Sequence, residues 1–294
     1  MNKTSKSGPN FLCIGMQKGG TQWIYDAMDQ LPGVFMPPIK EVNHFALVNG
    51  WQTKEYVDAT VRRRIAAVNK EYPEVAPELR GRFRRAARRY MAEQSSWNYR
   101  QLFCMSEGQI TGDVSPAYSL LTGPQVKKVR KVLPEARIVL SVRHPVARAW
   151  SHFNMKLRRS MAKDGISESD MHKEIIARAQ PEDFREFLQI NRATIMSSAS
   201  VIHDRWSKHF DNVMVIDFTD IVTRPAAVVS RLSQELVGTP MQETQAPVVP
   251  NAKETFAKAK ILPAHSEIGL SHFKEEIARC RDKFAFAADW ESLG

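Results

Sequence analysis

Apolar residues fall in short runs separated by longer amphipathic stretches. Phe11-Leu12-Cys13-Ile14-Gly15 is a continuous apolar run bounded by Pro9-Asn10, which predicts a buried strand. Glycines follow it. Thr21 then opens a stretch that predicts a helix through Met28, stopped by Leu31-Pro32-Gly33. Residues 34–36 and 110–113 predict short strands. Residues 136–142 form a near-continuous apolar run, as expected of a central parallel strand, and 213–218 predict a further buried strand. Helices are predicted over 123–133, 145–159, 181–191, 197–209, 224–237 and 271–283. This alternation predicts an α/β fold with a central, mostly parallel sheet flanked by helices. No linker, repeat or low-complexity tract interrupts it, so residues 1–294 read as one domain. Residues 50–100 read as a helical insertion divided by Pro73 and Pro77. Phe83, Ala86, Ala87, Tyr90 and Met91 form an apolar stripe in its second helix. Residues 240–294 read as a C-terminal loop and helix.

Composition narrows the function classes. A chain of 294 residues, 43% hydrophobic and 25% charged, has the balance of a globular protein and the length to bury a large core. No run approaches 18 apolar residues, so no membrane span is expected, and the polar N-terminus lacks the apolar region of a secretory signal. Cys13, Cys104 and Cys280 stand far apart; neither a disulfide framework nor a zinc set is expected, and buried thiols in a reducing cytoplasm fit. The net charge of +10 implies acidic partners. Residues 61–100 alone hold eleven Lys or Arg against four Glu. One local basic segment plus specific anion sites is therefore expected, rather than a general binder of nucleic acid or other polyanions.

Three segments carry candidate chemistry. Gly15-Met16-Gln17-Lys18-Gly19-Gly20-Thr21 lies between a strand and a helix, where glycines let the backbone wrap an anion and helix N–H groups face it. The lysine precedes the glycine pair, unlike an NTP-binding P-loop, and Asp217 is a poor partner for a metal-bound nucleotide. Arg143 ends the central strand and Ser151 follows eight residues later, either a fork and a hydroxyl for a phosphate, or an arginine satisfying carbonyls at the sheet edge and a serine on a solvated helix face. Lys40-Glu41-Val42-Asn43-His44-Phe45 offers a carboxylate beside a lysine, either a general base with a helper or a solvated loop.

Together these segments resemble the sulfotransferase family that uses 3′-phosphoadenosine 5′-phosphosulfate (PAPS). GMQKGGTQW (15–23) is similar to its P-loop-like phosphosulfate loop and VRHPVARAWS (142–151) to its 3′-phosphate motif. KEVNHF (40–45) and GDVSPAY (112–118) resemble segments of the heparan-sulfate-type branch. The likeness runs from about residue 10 to 238. It implies that Lys18 neutralises the leaving group and that Gly19, Gly20, Thr21 and Gln22 cradle the 5′-phosphate. Trp23 would stack on adenine, unless it is a core aromatic. Arg143 and Ser151 would hold the 3′-phosphate. Glu41 would be the general base, with His44 or Asp113 as alternatives, and no metal is expected. The lysine-rich segment with Lys253, Lys258 and Lys260 would close over the nucleotide or be a solvated tail. The basic helices would wall the acceptor side or be a solvated face. The acceptor would be a small molecule or saccharide. ATP-dependent phosphoryl transfer and non-enzymatic polyanion binding are the competing readings.

Overall fold

The computed structural model describes residues 8–71, 75–103, 108–167, 170–249 and 260–291. Its centre is a four-stranded sheet: β1 (Phe11–Gly15), β2 (Gly112–Val114), β3 (Arg137–Val142) and β4 (Val213–Asp217). The order is β2-β1-β3-β4 and every pairing is parallel. Every residue of β1, and of β3 from Ile138 on, is buried. Helices cover both faces, which is why these strands read as unbroken apolar runs rather than alternating ones.

Successive residues feed two separate cores. Leu12, Ile14, Ile138 and Leu140 enter one with Val57, Val61, Phe83 and Tyr90 of the Lys54–Glu71 and Pro77–Ala92 helices. Phe11, Cys13, Val139 and Ile216 enter the other with Trp23 and Ile24 of the Thr21–Asp29 helix. Arg82, Arg85, Arg88 and Arg89 remain exposed on the far side of the Pro77–Ala92 helix.

Most expected elements occur, with shifts of a few residues. Residues 34–36 form only a bridge between Val34 and Ile110, and the strand expected at 110–113 runs from Gly112 to Val114. Pro37 and Pro38 lack the N–H groups that would continue a ladder. The helix expected at 271–283 is two, Pro263–His272 and Lys274–Lys283. Short helices at His44–Leu47, Ser96–Gln101, Met171–Arg178 and Asn191–Ile195 were not expected, being too brief to display a 3.6-residue period. Cys13 and Cys280 are buried and unpaired. Cys104, Lys253 and Lys258 lie outside the described residues; Lys260 is exposed. Among the described residues no helix is long and apolar enough to cross a membrane.

The strand order positions the site. The chain leaves β1 toward β2 on one side and returns to β3 on the other, so the sheet changes direction between β1 and β3. A crevice opens at such a point beyond the carboxyl ends of the strands. Gly15 and Val142 are those ends.

Candidate active site

The loop from Gly15 to Gly20 is held by the strand beside it. The Met16 N–H donates to the Ser141 carbonyl at 2.7 Å, and the Ser141 hydroxyl donates to the Gly15 carbonyl at 2.8 Å. Gly20 has φ +92°, and a Cβ there would stand 2.7 Å from Ile221 Cδ1. At Gly19 a Cβ would lie 3.0 Å from both the Met16 carbonyl oxygen and Ser141 Oγ. Only glycine lets this turn deliver the chain into the Thr21–Asp29 helix. The N–H groups of its first turn have no partner within the helix and carry its partial positive charge. Lys18 is itself left-handed, at φ 70°. Such backbone strain in a non-glycine residue concentrates at functional sites.

Two arginines fasten the loop from below. Arg143 Nη1 donates to the Lys18 carbonyl at 3.1 Å, and its guanidinium lies 4.4 Å over the Phe218 ring. Burial lowers its pKa to about 10. Arg148 donates through Nε to the Gln17 carbonyl at 2.9 Å. Its Nη1 reaches the Ala193 carbonyl and the Ser197 hydroxyl, at 3.0 and 2.9 Å. Arg148 is fully buried and its pKa is lowered to about 9, chiefly by burial. Sequence reasoning missed this residue. The signal was a basic residue inside the apolar stripe Val146, Ala149, Trp150 and Phe153 of the Pro145–Lys163 helix.

A cavity of about 650 Å³ lies over this junction. Of the residues expected at the site, Lys18, Gly20, Thr21, Gln22, Trp23, Glu41, Arg143 and Ser151 line it. Gly19 packs behind the wall. Trp23 is 1% exposed within the second core, and its indole N–H has no hydrogen-bond partner among the described residues. Glu41 is left-handed, at φ 60°, and its Oε1 lies 3.5 Å from Lys40 Nζ. Its N–H donates to the Val114 carbonyl at 3.0 Å, fastening the segment to the end of β2.

The structure does not bring His44 or Asp113 to the cavity. His44 is fully buried, stacked 4.5 Å from the Tyr99 ring, with Nδ1 3.2 Å from Tyr90 Oη. Burial lowers its pKa to about 4. The helical turn at His44–Leu47 directs the ring inward, three residues after Glu41 leaves the chain at the cavity. Asp113 accepts from Tyr99 and Tyr118 at 2.8 and 2.6 Å and from Ser115 at 2.6 Å. Burial raises its pKa. It is the acceptor that lets two phenols sit in the core. Asp217 caps the Phe218–Thr223 helix, accepting from the Thr219 N–H at 3.0 Å.

Beyond Glu41 the wall belongs to residues that no motif marks. Gln52 and Tyr56 come from the start of the Lys54–Glu71 helix and the loop before it. Met155 and Arg159 follow Ser151 along the Pro145–Lys163 helix; Phe187, Ile190 and Arg192 come from the 181–195 region. The exposed arginines of the Pro77–Ala92 helix do not line the cavity. Its lining holds six Lys or Arg and one carboxylate, so the enclosed potential is strongly positive. An anion that enters meets fixed donors on one side and a carboxylate on the other.

The Alicyclobacillus acidocaldarius sulfotransferase has a similar fold: TM-score 0.58 at 20% identity, over 93% of this chain and 94% of that one. The sulfotransferase domain of the Synechococcus PCC 7002 olefin synthase is also similar, with TM-score 0.51 at 13% identity over 100% of this chain and 91% of that one. No curated protein matches the chain by sequence. A sequence model of the sulfotransferase family matches residues 9–243, from before β1 to beyond β4, and so spans every element that builds the cavity. The chain belongs to the sulfotransferase family.

Proposed function

We propose that the protein transfers a sulfuryl group from PAPS to a hydroxyl or amine acceptor. The observation that carries this reading is the joint presence of Lys18, the first turn of the Thr21–Asp29 helix, Arg143, Ser151 and Glu41 on one cavity. The residues fit a donor with two phosphate positions. Arg143 and Ser151 supply one set of donors; Lys18 and the helix N–H groups supply another. Trp23 also reaches the lining, and its indole N–H has no hydrogen-bond partner among the described residues. PAPS supplies the activated sulfuryl group.

The protein's residues bind, orient and move a proton. Lys18 and the helix terminus stabilise the negative charge that grows on the departing phosphate, where preorganised donors act most strongly. Arg143 and Ser151 fix the nucleotide so that transfer is in line. Glu41, the carboxylate on the cavity wall, takes the acceptor proton. Lys40 holds its orientation. The cavity-facing Glu41 is preferred over His44 and Asp113 because both of those are buried and hydrogen-bonded elsewhere. Phosphoryl transfer with ATP is disfavoured by the position of Lys18 before the glycines and by the use of Asp217 as a helix cap. The heparan-sulfate-type branch belongs to this reading, on the segments 40–45 and 112–118.

The test is a thermal-shift series with 3′,5′-adenosine bisphosphate, AMP and ATP–Mg²⁺. Saturation at 100 times the dissociation constant stabilises by about 2.7 kcal/mol. The expected result is a shift of several degrees with the bisphosphate and little with AMP. A shift with ATP–Mg²⁺ alone would transfer the assignment to a kinase-like enzyme.

A further inference from the structure

The cavity carries more positive charge than a nucleotide donor's two phosphate positions account for, and the excess is at the other end. Ser151, Met155 and Arg159 are spaced four residues apart on the Pro145–Lys163 helix and all line the cavity. Eight residues of helix rise about 12 Å. Arg159 therefore stands about 12 Å along the helix from the hydroxyl assigned to the 3′-phosphate. Arg192 lines the cavity from the Asn191–Ile195 helix; its Nη1 donates to the Trp51 carbonyl at 3.3 Å. Neither arginine has a carboxylate within ion-pair distance among the described residues, whereas Lys40 in the same lining is paired with Glu41. Both act electrostatically on Tyr56, as does Glu41. The two guanidinium groups, Tyr56 and Glu41 all line the one cavity.

The cavity lining also has apolar members. Met155, Phe187 and Ile190 are among them, and Phe187 is 3% exposed, with its ring under Lys156 Nζ at 5.3 Å. Ile190 and Tyr56 are two of the few large apolar side chains left open to solvent, at 45% and 46%. An apolar surface beside two unpaired guanidinium groups suits a ligand with an apolar body and an anionic end.

We propose that Arg159 and Arg192 form an anion-recognition pair for the acceptor, which is a compact hydroxylated or aminated organic acid with an apolar body lying on Phe187 and Ile190. The acid group is a carboxylate, sulfate or phosphate. It sits at the far end from the group that receives the sulfuryl. The arginines select and orient the acceptor and take no part in proton transfer. This inference rests on the donor assignment above.

The test measures binding in the presence of saturating 3′,5′-adenosine bisphosphate. The probes are 3-(4-hydroxyphenyl)propanoate and its uncharged amide, followed by calorimetry. The wild-type protein should bind the acid at least tenfold more tightly than the amide. Arg159→Gln and Arg192→Gln should each reduce that preference, and the double variant should abolish it. The bisphosphate thermal shift should stay within a degree in all three, which also shows that they fold. Equal binding of acid and amide, binding of neither, or a preference that survives in the double variant would overturn the proposal while leaving the donor assignment standing. Absence of the bisphosphate shift in the wild type would overturn the donor assignment and this inference with it.

Discussion

The two ends of the cavity are built differently. The end proposed to bind the donor is made of backbone and strand termini. Glycines at a strand-to-helix turn, a helix N-terminus and an arginine at the end of β3 are all within a few residues of the central sheet. The end proposed for the acceptor is made of side chains from separate peripheral helices: Tyr56, Arg159, Phe187 and Arg192. Backbone geometry restricts which residue types fit, so the donor end is written in local motifs. Side chains converging from distant helices obey no spacing rule, so the acceptor end is free to vary and is silent in sequence. The same division separates the two carboxylates near the end of β2. Glu41 is on the wall, with its side chain about one-third exposed; Asp113 is sealed under two phenols.

The largest effect should fall on the donor end. Lys18→Ala should lower kcat by about 10²–10³-fold, the range for loss of one charge-stabilising donor. Steady-state kinetics with PAPS would read it, and near-normal turnover would remove Lys18 from the mechanism. Glu41→Gln should lower kcat comparably while leaving the bisphosphate shift intact. Loss of that shift would make Glu41 part of the nucleotide site and erase the division drawn here.

A smaller effect sharpens the donor end itself. Arg143→Ala should weaken 3′,5′-adenosine bisphosphate by roughly 1.5–3 kcal/mol, the worth of a charge-assisted hydrogen bond, and barely change AMP. Calorimetry with both nucleotides distinguishes this from a structural role through the Lys18 carbonyl, which would weaken both equally.

The smallest effect is on stability. His44 has a native pKa of about 4 against an ordinary value near 6.5. Between those values the unfolded chain binds the proton and the native chain does not. Stability from this group is therefore full above about pH 6.5 and is lost on acidification toward pH 4, at roughly 1 kcal/mol per pH unit. Buried Asp113, whose pKa is raised, acts in the opposite sense, since its native form takes up the proton first. The Tm should fall from pH 7 to pH 5, and His44→Gln should flatten that fall. An unchanged slope in the variant would show that His44 is not the sensor.

Residues 11–15 and 137–142 were legible as strands because both of their faces are covered, which leaves unbroken apolar runs. The loop at 15–21 was legible because only glycine turns there. The segment at 40–45 was half legible: Glu41 was the expected base, but His44, three residues on, stayed open as an alternative. A single turn of helix, invisible at four residues, sends one to the cavity and the other into an aromatic cage with Tyr90 and Tyr99. The basic helices were legible as helices, but not in their relation to the site. Only Tyr56 of the Lys54–Glu71 helix lines the cavity.

By itself the sequence determined the α/β architecture, the glycine loop between strand and helix, and the nearness of Arg143 and Ser151 to that loop at the end of the central strand. Each depends on interactions among residues close in the chain or on burial strong enough to dictate residue type. Only the tertiary structure decided that Arg148 is buried under the loop, that Asp113 and His44 are internal, and that Arg159 and Arg192 line the same cavity as Glu41. Those outcomes depend on packing between helices tens of residues apart, and no local pattern carries that information.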